Sequence, residues 1–357
     1  MTVLGIMTHA AGTPARYDMY AQEALRLGFD GVLLFAPMDV DLRRRRVDAW
    51  AYERGGWRRR VRPLPDLAHD MGFYAGAATI RAARRVKAPE AAGGIPFVGY
   101  ALGHKWTIHQ RLLRTPYAAY LPETASMRSG ETAVRMADRY GAAMVKPRDG
   151  KQGKGIVKIS REGPGKYRWQ EQGGASSRLT RKEAAARLDR RFRPDAAIVQ
   201  RWMDIRCPKG GVFDIRALAQ KAEGDAWRTT AAAVRQSGIG RIASNVTSGG
   251  AVWAVDAFLA DMYGEAEAAR IAGEAGRIAA ELPGELERSY GKRFVELGID
   301  LAVERGGAVR IIEVNIKPGK KIVRALSGER AYADALLQPI RYAKWLSDRR
   351  DSLWTDS

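Results

Sequence analysis

Apolar and polar positions divide the first hundred residues into short, legible segments. Val3–Met7 is an apolar run of the length that fills a buried strand. Between Arg16 and Leu27, Tyr17, Tyr20, Ala21, Ala24 and Leu25 recur at the spacing of one helix face, and Gly28 stops the pattern. Gly31–Phe35 is a second apolar run, so the chain opens as strand, helix, strand, which predicts an α/β layer. Residues 43–62 follow a period of two. Val47, Ala49 and Ala51 alternate before Gly55-Gly56, and Trp57, Arg59 and Val61 alternate after it, as in a hairpin ended by Pro63 and Pro65. A helix at about Tyr74–Val86 and a strand at Ile95–Val98 follow.

The texture changes from Lys105. Thr107–Leu113 reads as a helix broken by Thr115-Pro116, Tyr117–Leu121 as extended chain, and Ser129–Tyr140 as a helix. Ala142–Lys146 is a strand that runs into a glycine-rich turn, 147–155, and Ile156–Ser160 is the next strand. Thr180 and Glu183 form a capping box for a helix reaching about Arg190. Strands follow at Ala196–Gln200, Phe213–Lys221 and Ala226–Arg235, then a Gly/Ser/Asn loop at 236–250 and a long helix at Gly264–Tyr290. Phe294–Val303 and Ala308–Asn315 read as paired strands joined at Arg305-Gly306-Gly307. A helix near Tyr332–Leu346 and a flexible tail, 348–357, end the chain.

Composition narrows the function classes. The chain has 357 residues, 46% hydrophobic and 28% charged, which is globular and long enough for more than one domain. No apolar run reaches the ~18–20 residues of a membrane helix, and the opening residues lack the basic flank of a signal peptide, so a cytoplasmic protein is expected. The single cysteine, Cys207, excludes an internal disulfide and a cysteine-built zinc site. The four histidines show no metal-ligand spacing, and His104 reads as a helix-start residue.

Sixty basic against 40 acidic residues give a net charge of +20, of which +5 lies in residues 1–104. Such a surplus suits an anionic partner, but it is spread along the chain as on a solvated surface. The nine arginines of residues 43–62, interleaved with Trp50, Tyr52 and Trp57, could grip nucleic acid. Their alternation favours a surface hairpin instead.

Three segments carry candidate chemistry. Backbone N–H groups around Gly150, Gly153 and Gly155, with Lys151 and Lys154, can wrap phosphate oxygens; a plain hairpin turn fits the same residues. Glu313-Val-Asn315 puts a carboxylate and an amide oxygen on one strand face, with Asp300 thirteen residues earlier on the partner strand. That donor set suits a hard cation, and a solvated strand end is the other reading. Ile198–Met203 is an apolar strand leading to Trp202 and Met203, suited to an adenine ring or to an ordinary core. Gly238–Ala243 matches the dinucleotide fingerprint but lacks the helix that should follow.

Taken in order, these segments resemble the ATP-grasp superfamily, and within it the endospore coat-associated group of Bacillus-type bacteria. The resemblance rests on Gly103-His-Lys-Trp-Thr107, Met144-Val-Lys-Pro147 through Gly155, Phe213-Asp-Ile-Arg216, Asn245 with Gly249-Gly250, and Gly298-Ile-Asp300 with Ile312-Glu-Val-Asn-Ile-Lys-Pro-Gly319. It covers about residues 103–320.

It implies an α/β (α+β) ATP-grasp fold: an N-terminal pre-ATP-grasp domain, 1–103, a small lobe with a glycine-rich lid, 104–200, and a large metal-bearing lobe, 201–347. Lys105 and Lys146 would contact ATP phosphates under a lid containing Lys151, Gly153, Lys154 and Gly155. Gln200, Arg201, Trp202 and Met203 would frame the adenine, and Asp214 would lie near the ribose and phosphates. Arg216, Arg241 and Asn245 would act where phosphate and acyl group meet. Asp300, Glu313 and Asn315 would hold Mg²⁺, as two ions. The implied reaction joins a carboxylate, in keeping with the basic surplus an acidic one, to an amine through an acylphosphate. The alternatives are a spore-coat-associated protein that binds ATP without turnover, and a basic nucleic-acid-binding protein.

Overall fold

A computed structural model describes residues 1–9, 12–150, 155–171, 176–207, 210–239, 241–242 and 250–349. Three sheets follow one another along the chain. The first is built from β1 (Val3–Met7), β2 (Gly31–Phe35), β3 (Val40–Asp41), β4 (Arg46–Glu53), β5 (Gly56–Pro63) and β6 (Leu67–Asp70), with α1 (Asp18–Arg26) and α2 (Ala77–Val86). Its order is β3-β4-β2-β1-β6, with β5 on β4; β1 runs parallel to β2 and β6. The β4–β5 turn falls at Arg54 and Gly55, both with positive φ, because Glu53 pairs with Gly56. Two left-handed residues suit the twist of a two-residue hairpin.

α3 (Lys105–Leu112) comes next in the chain, with Ile108 and Leu112 packed into the core of the third unit rather than the second. The second unit contains β7 (Thr124–Ser126), α4 (Gly130–Tyr140), β8 (Ala142–Pro147), β9 (Val157–Gly163), β10 (Lys166–Glu171), β11 (Ser177–Thr180), α5 (Arg181–Arg191) and β12 (Ala197–Arg201). Its antiparallel sheet has the order β11-β10-β9-β8-β12-β7. The capping box forms as expected: Thr180 accepts from the Glu183 N–H, and Glu183 accepts from the Thr180 N–H at 2.8 Å. Residues 116–120 are a 3₁₀ turn rather than extended chain. Pro116 opens it, and the Thr115 hydroxyl accepts from the Tyr117 N–H.

The third unit has β13 (Phe213–Lys221), β14 (Trp227–Gln236), β15 (Ala251–Trp253), α6 (Val255–Tyr263), α7 (Glu265–Tyr290), β16 (Glu296–Val303), β17 (Val309–Ile316) and α8 (Lys321–Ser347). Its antiparallel order is β15-β14-β13-β16-β17. Ile215, Ala217, Leu297, Ile299, Leu301 and Val314 point to one face and pack with Ile271, Ile278 and Leu282 of α7. The alternate residues point to the other face, and they include nearly every polar residue that matters below.

The C-terminal helix starts eleven residues before the expected Tyr332 and bends at Gly328, whose φ is +78°. Its last turns do not stay with the large lobe. Ile340, Tyr342, Ala343 and Leu346 join Leu4, Ile6, Tyr20 and Val32 in the core of the N-terminal unit. No helix among the described residues is long and apolar enough to cross a membrane.

Candidate nucleotide and cation cleft

A narrow cleft opens between the second and third units. Its lining includes Lys105 and His109 of α3, Thr124, Lys146 and Gln200 of the small-lobe sheet, and Ile311–Val314 of β17.

The small-lobe wall is set by register. Lys146 pairs with Ile198 and Gln200 with Met144 on adjacent strands, so both polar residues project from the same central part of the sheet. The Lys146 ammonium donates to Gln200 Oε1 at 2.6 Å, and Gln200 Nε2 donates to Thr124 Oγ1 at 3.2 Å. Among the described residues no acid forms an ion pair with Lys146. Burial pushes its pKa down to about 8, with Lys105 adding to the fall and Glu313 and Asp300 opposing it. Trp202 lies beyond the strand end, and the Lys158 ammonium sits 3.6 Å from its ring centroid. Burial also lowers the Lys158 pKa to about 8. Met203 is buried with Ile205, Val212 and Ala302. Arg201 points the other way and grips Glu304 through two bonds of 2.6 and 2.9 Å, because neighbours along a strand face opposite sides. Gly155 has φ +75°, and a Cβ there would lie 3.1 Å from Pro147, so the turn needs glycine.

The large-lobe wall is a row of register pairs. Asp214 faces Arg235, Arg216 faces Asp300, and Asp300 faces Glu313. The last pairing depends on a bulge: the register shifts between Asp300 and Leu301, which would otherwise set Ile312 opposite Asp300. Arg235 donates to Asp214 at 2.7 and 2.6 Å and reaches Asp300 at 3.2 Å. Arg216 holds both oxygens of Asp300. It fits because position 298 is glycine; a Cβ there would lie 3.0 Å from the guanidinium. Burial works against the charge on Asp300, but Arg216 and Arg235 more than offset it and hold the carboxyl below the usual range. Arg235 shifts upward for the same reason, its two carboxylates outweighing burial.

Lys105 joins the two walls. Its ammonium donates to Glu313 Oε1 and to the Gly150 carbonyl, each at 2.7 Å. Its helix begins at His104, whose Nδ1 accepts from the Thr107 N–H at 3.1 Å. Arg241 contributes only a backbone turn contact to Gly238 among the described residues. Lys151, Gly153, Lys154 and Asn245 lie outside the described residues, as does part of the 238–243 fingerprint.

Among the described residues there is no cluster of three His, Cys, Asp or Glu side chains. The donor set is instead two carboxylates on facing strands, with Asn315 two residues after Glu313 on the same face. That set fits a hard, oxygen-seeking cation, and Glu313 already draws a lysine ammonium. Thr124, His109, Lys158 and Arg235 complete the surroundings without having been singled out in the sequence. Arg235 alone carried a signal, as a cation on a strand antiparallel to an Asp-x-Arg strand.

Two antiparallel sheets facing one cleft, behind a separate α/β unit, make an ATP-grasp fold. The chain resembles D-alanyl-alanine synthetase A of Vibrio cholerae (TM-score 0.54, 14% identity, 96% of this chain and 98% of that one). It also resembles the D-cycloserine synthetase DcsG (TM-score 0.53, 15% identity, 95% and 99%). The chain belongs to the YheC/D-like ATP-grasp family, whose model matches residues 94–346. The endospore coat-associated protein YheC of Bacillus subtilis is 24% identical over 341 residues, covering 92% of each chain. YheD of the same organism is 23% identical, over 86% of this chain and 70% of its own.

Proposed function

We propose that the protein is an ATP- and Mg²⁺-dependent carboxylate–amine ligase. The observation that carries the reading is the convergence of Lys105, Lys146, Gln200 and Glu313 on one cleft from three separate strands and a helix, with Asp300 the register partner of Glu313. Lys105 and Lys146 draw the phosphates of ATP into the cleft. Gln200 offers an amide to the adenine edge, with Trp202 and Met203 beside the base. Asp300, Glu313 and Asn315 would hold Mg²⁺, two ions as the resemblance implies, which would neutralise phosphate charge when bound. Asp214 orients Arg235, and Arg235 with Arg216 orients Asp300.

The substrate carboxylate oxygen attacks the γ-phosphorus. An O–P bond forms, the bond to the β–γ bridging oxygen breaks, and ADP leaves. The amine then attacks the acyl carbon of the acylphosphate, phosphate departs, and the amine loses a proton. Arg216, with Arg241 and Asn245 assigned beside it from the resemblance, stabilises the charge at the transferring group. We place the working compartment in the cytoplasm, with an association with the spore coat suggested by the names of the two relatives.

A second reading is an ATP-binding, coat-associated protein without turnover. It is favoured by those same names, which record an association and no reaction. Calorimetry of ATP with and without Mg²⁺, on wild type and Glu313→Ala, separates the readings when followed by phosphate release against pooled amino acids and acidic peptides. Mg²⁺-dependent binding lost in the variant, with substrate-stimulated release, supports the ligase. Binding without release supports the second reading, and absence of ATP binding removes both.

A further inference from the structure

We infer that the outer edge of the N-terminal sheet is a docking strand for an extended acidic polypeptide. Among the described residues β5 pairs only with β4, so its other side carries unpaired backbone groups. Arg58, Arg60 and Arg62 are the register partners of Ala51, Ala49 and Val47, and cross-strand partners share a face. That face is the one α2 covers, since Val47, Ala49 and Ala51 pack in one core with Val86. From α2, Arg81, Arg84 and Arg85 border an open trough of about 800 Å³ with Met38 and Ala78 on its apolar floor. All six arginines are exposed.

Among the described residues only Arg62 of the six has an ion-pair partner, Glu53. The segment 36–63 has four acids, and each is engaged: Asp39 and Asp48 hold Arg59, Asp41 accepts from the backbone of Arg43 and Arg44, and Glu53 holds Arg62. Residues 71–89 contain no acid at all. A single charge is enough to keep an edge strand from pairing with a copy of itself. Here arginines at alternate positions of the edge lie on the same sheet face as α2, which carries a further arginine row. An incoming strand with a carboxylate at every second residue meets Arg58, Arg60 and Arg62 in register, while its backbone completes the open ladder.

A single-stranded nucleic acid fits less well. It binds by stacking bases on aromatic rings, and the aromatics of this hairpin are on the other face: Trp50 is the register partner of Arg59 and Tyr52 that of Trp57, and Trp50, Tyr52 and Trp57 pack toward Tyr17 and Tyr20. None of these arginines lines the nucleotide cleft, so the inference stands whether or not the ligase reading does.

The test uses the full chain and an alternating Glu-Ala dodecapeptide, with a Glu-Pro dodecapeptide of equal charge and a dT12 oligonucleotide beside it. The Glu-Ala peptide is expected to bind with an affinity that falls as salt rises. Its binding should weaken at least about 10-fold in Arg58→Glu/Arg60→Glu and about as much when proline removes the backbone donors. Charge reversal on α5, Lys182→Glu/Arg190→Glu, should leave it within about 2-fold, and ATP binding should be unchanged in both variants. Equal loss on the α5 variant would mean diffuse attraction to a basic protein. Equal binding of the Glu-Pro peptide would remove strand addition, and tighter binding of dT12 would make the surface a nucleic-acid site. Each of these results overturns the inference.

Discussion

The two walls of the cleft handle buried charge in opposite ways. On the large lobe, Asp214, Arg235, Asp300 and Arg216 form a closed set in which every guanidinium has a carboxylate. On the small lobe, Lys146 is buried against a neutral amide and a lowered pKa records the cost. The large-lobe wall is therefore set before any ligand arrives. The small-lobe wall presents a buried cation with no acid partner among the described residues, an arrangement suited to binding an anion.

The largest test of this contrast breaks the closed set. Asp300→Asn leaves two buried guanidiniums short of a counter-charge and should cost about 3–5 kcal/mol of folding stability, measured by denaturant unfolding. A cost below about 1 kcal/mol would mean that water already screens the row. Glu313→Gln spares that row and should act on function alone. Mg²⁺-dependent ATP affinity should fall at least about 10-fold by calorimetry, with a much smaller change in stability.

The small-lobe wall should reveal itself through pH. Below about pH 8 Lys146 is charged in the folded and unfolded chain alike, and its burial lowers stability. Between about 8 and 10.5 the unfolded chain still binds the proton that the folded chain has released. Stability should therefore rise with pH across that window. Lys158 shifts in the same direction, so Lys146→Met should remove only part of the rise. Gln200→Glu sharpens the comparison by giving Lys146 an acid; it should raise the lysine pKa and flatten the same part of the curve. The smallest expected effect is His104→Ala, which removes the cap of α3 at about 1 kcal/mol by thermal unfolding.

Much of this site was legible before the fold. Lys146, Gln200, Asp300, Glu313 and Asn315 are marked in the sequence by strand ends, a glycine-rich turn and a thirteen-residue spacing, and Lys105 by the family resemblance alone. Lys105, Lys146, Gln200 and Glu313 line the cleft, and Asp300 is the register partner of Glu313 on the adjacent strand. Arg201 was grouped with them by adjacency, yet strand alternation turns it to Glu304. The C-terminal helix followed the large lobe in sequence, yet its last turns fill the N-terminal core.

What the sequence by itself determined is local: the periods of two and 3.6, the Thr180–Glu183 cap, a hairpin over 43–62 with its turn one residue from the expected Gly55-Gly56, and the order of the glycine-rich and acidic segments. These depend on neighbours a few residues apart, which the chain specifies directly. What only the tertiary structure decided is who meets whom. Lys105 reaches Glu313 across 208 positions, and Arg216 reaches Asp300 across 84. A one-residue bulge near Ile312 puts Glu313, rather than an isoleucine, opposite Asp300. Side chains on a strand change face at every step, so partners are chosen by register, and register is set by the packing of whole sheets.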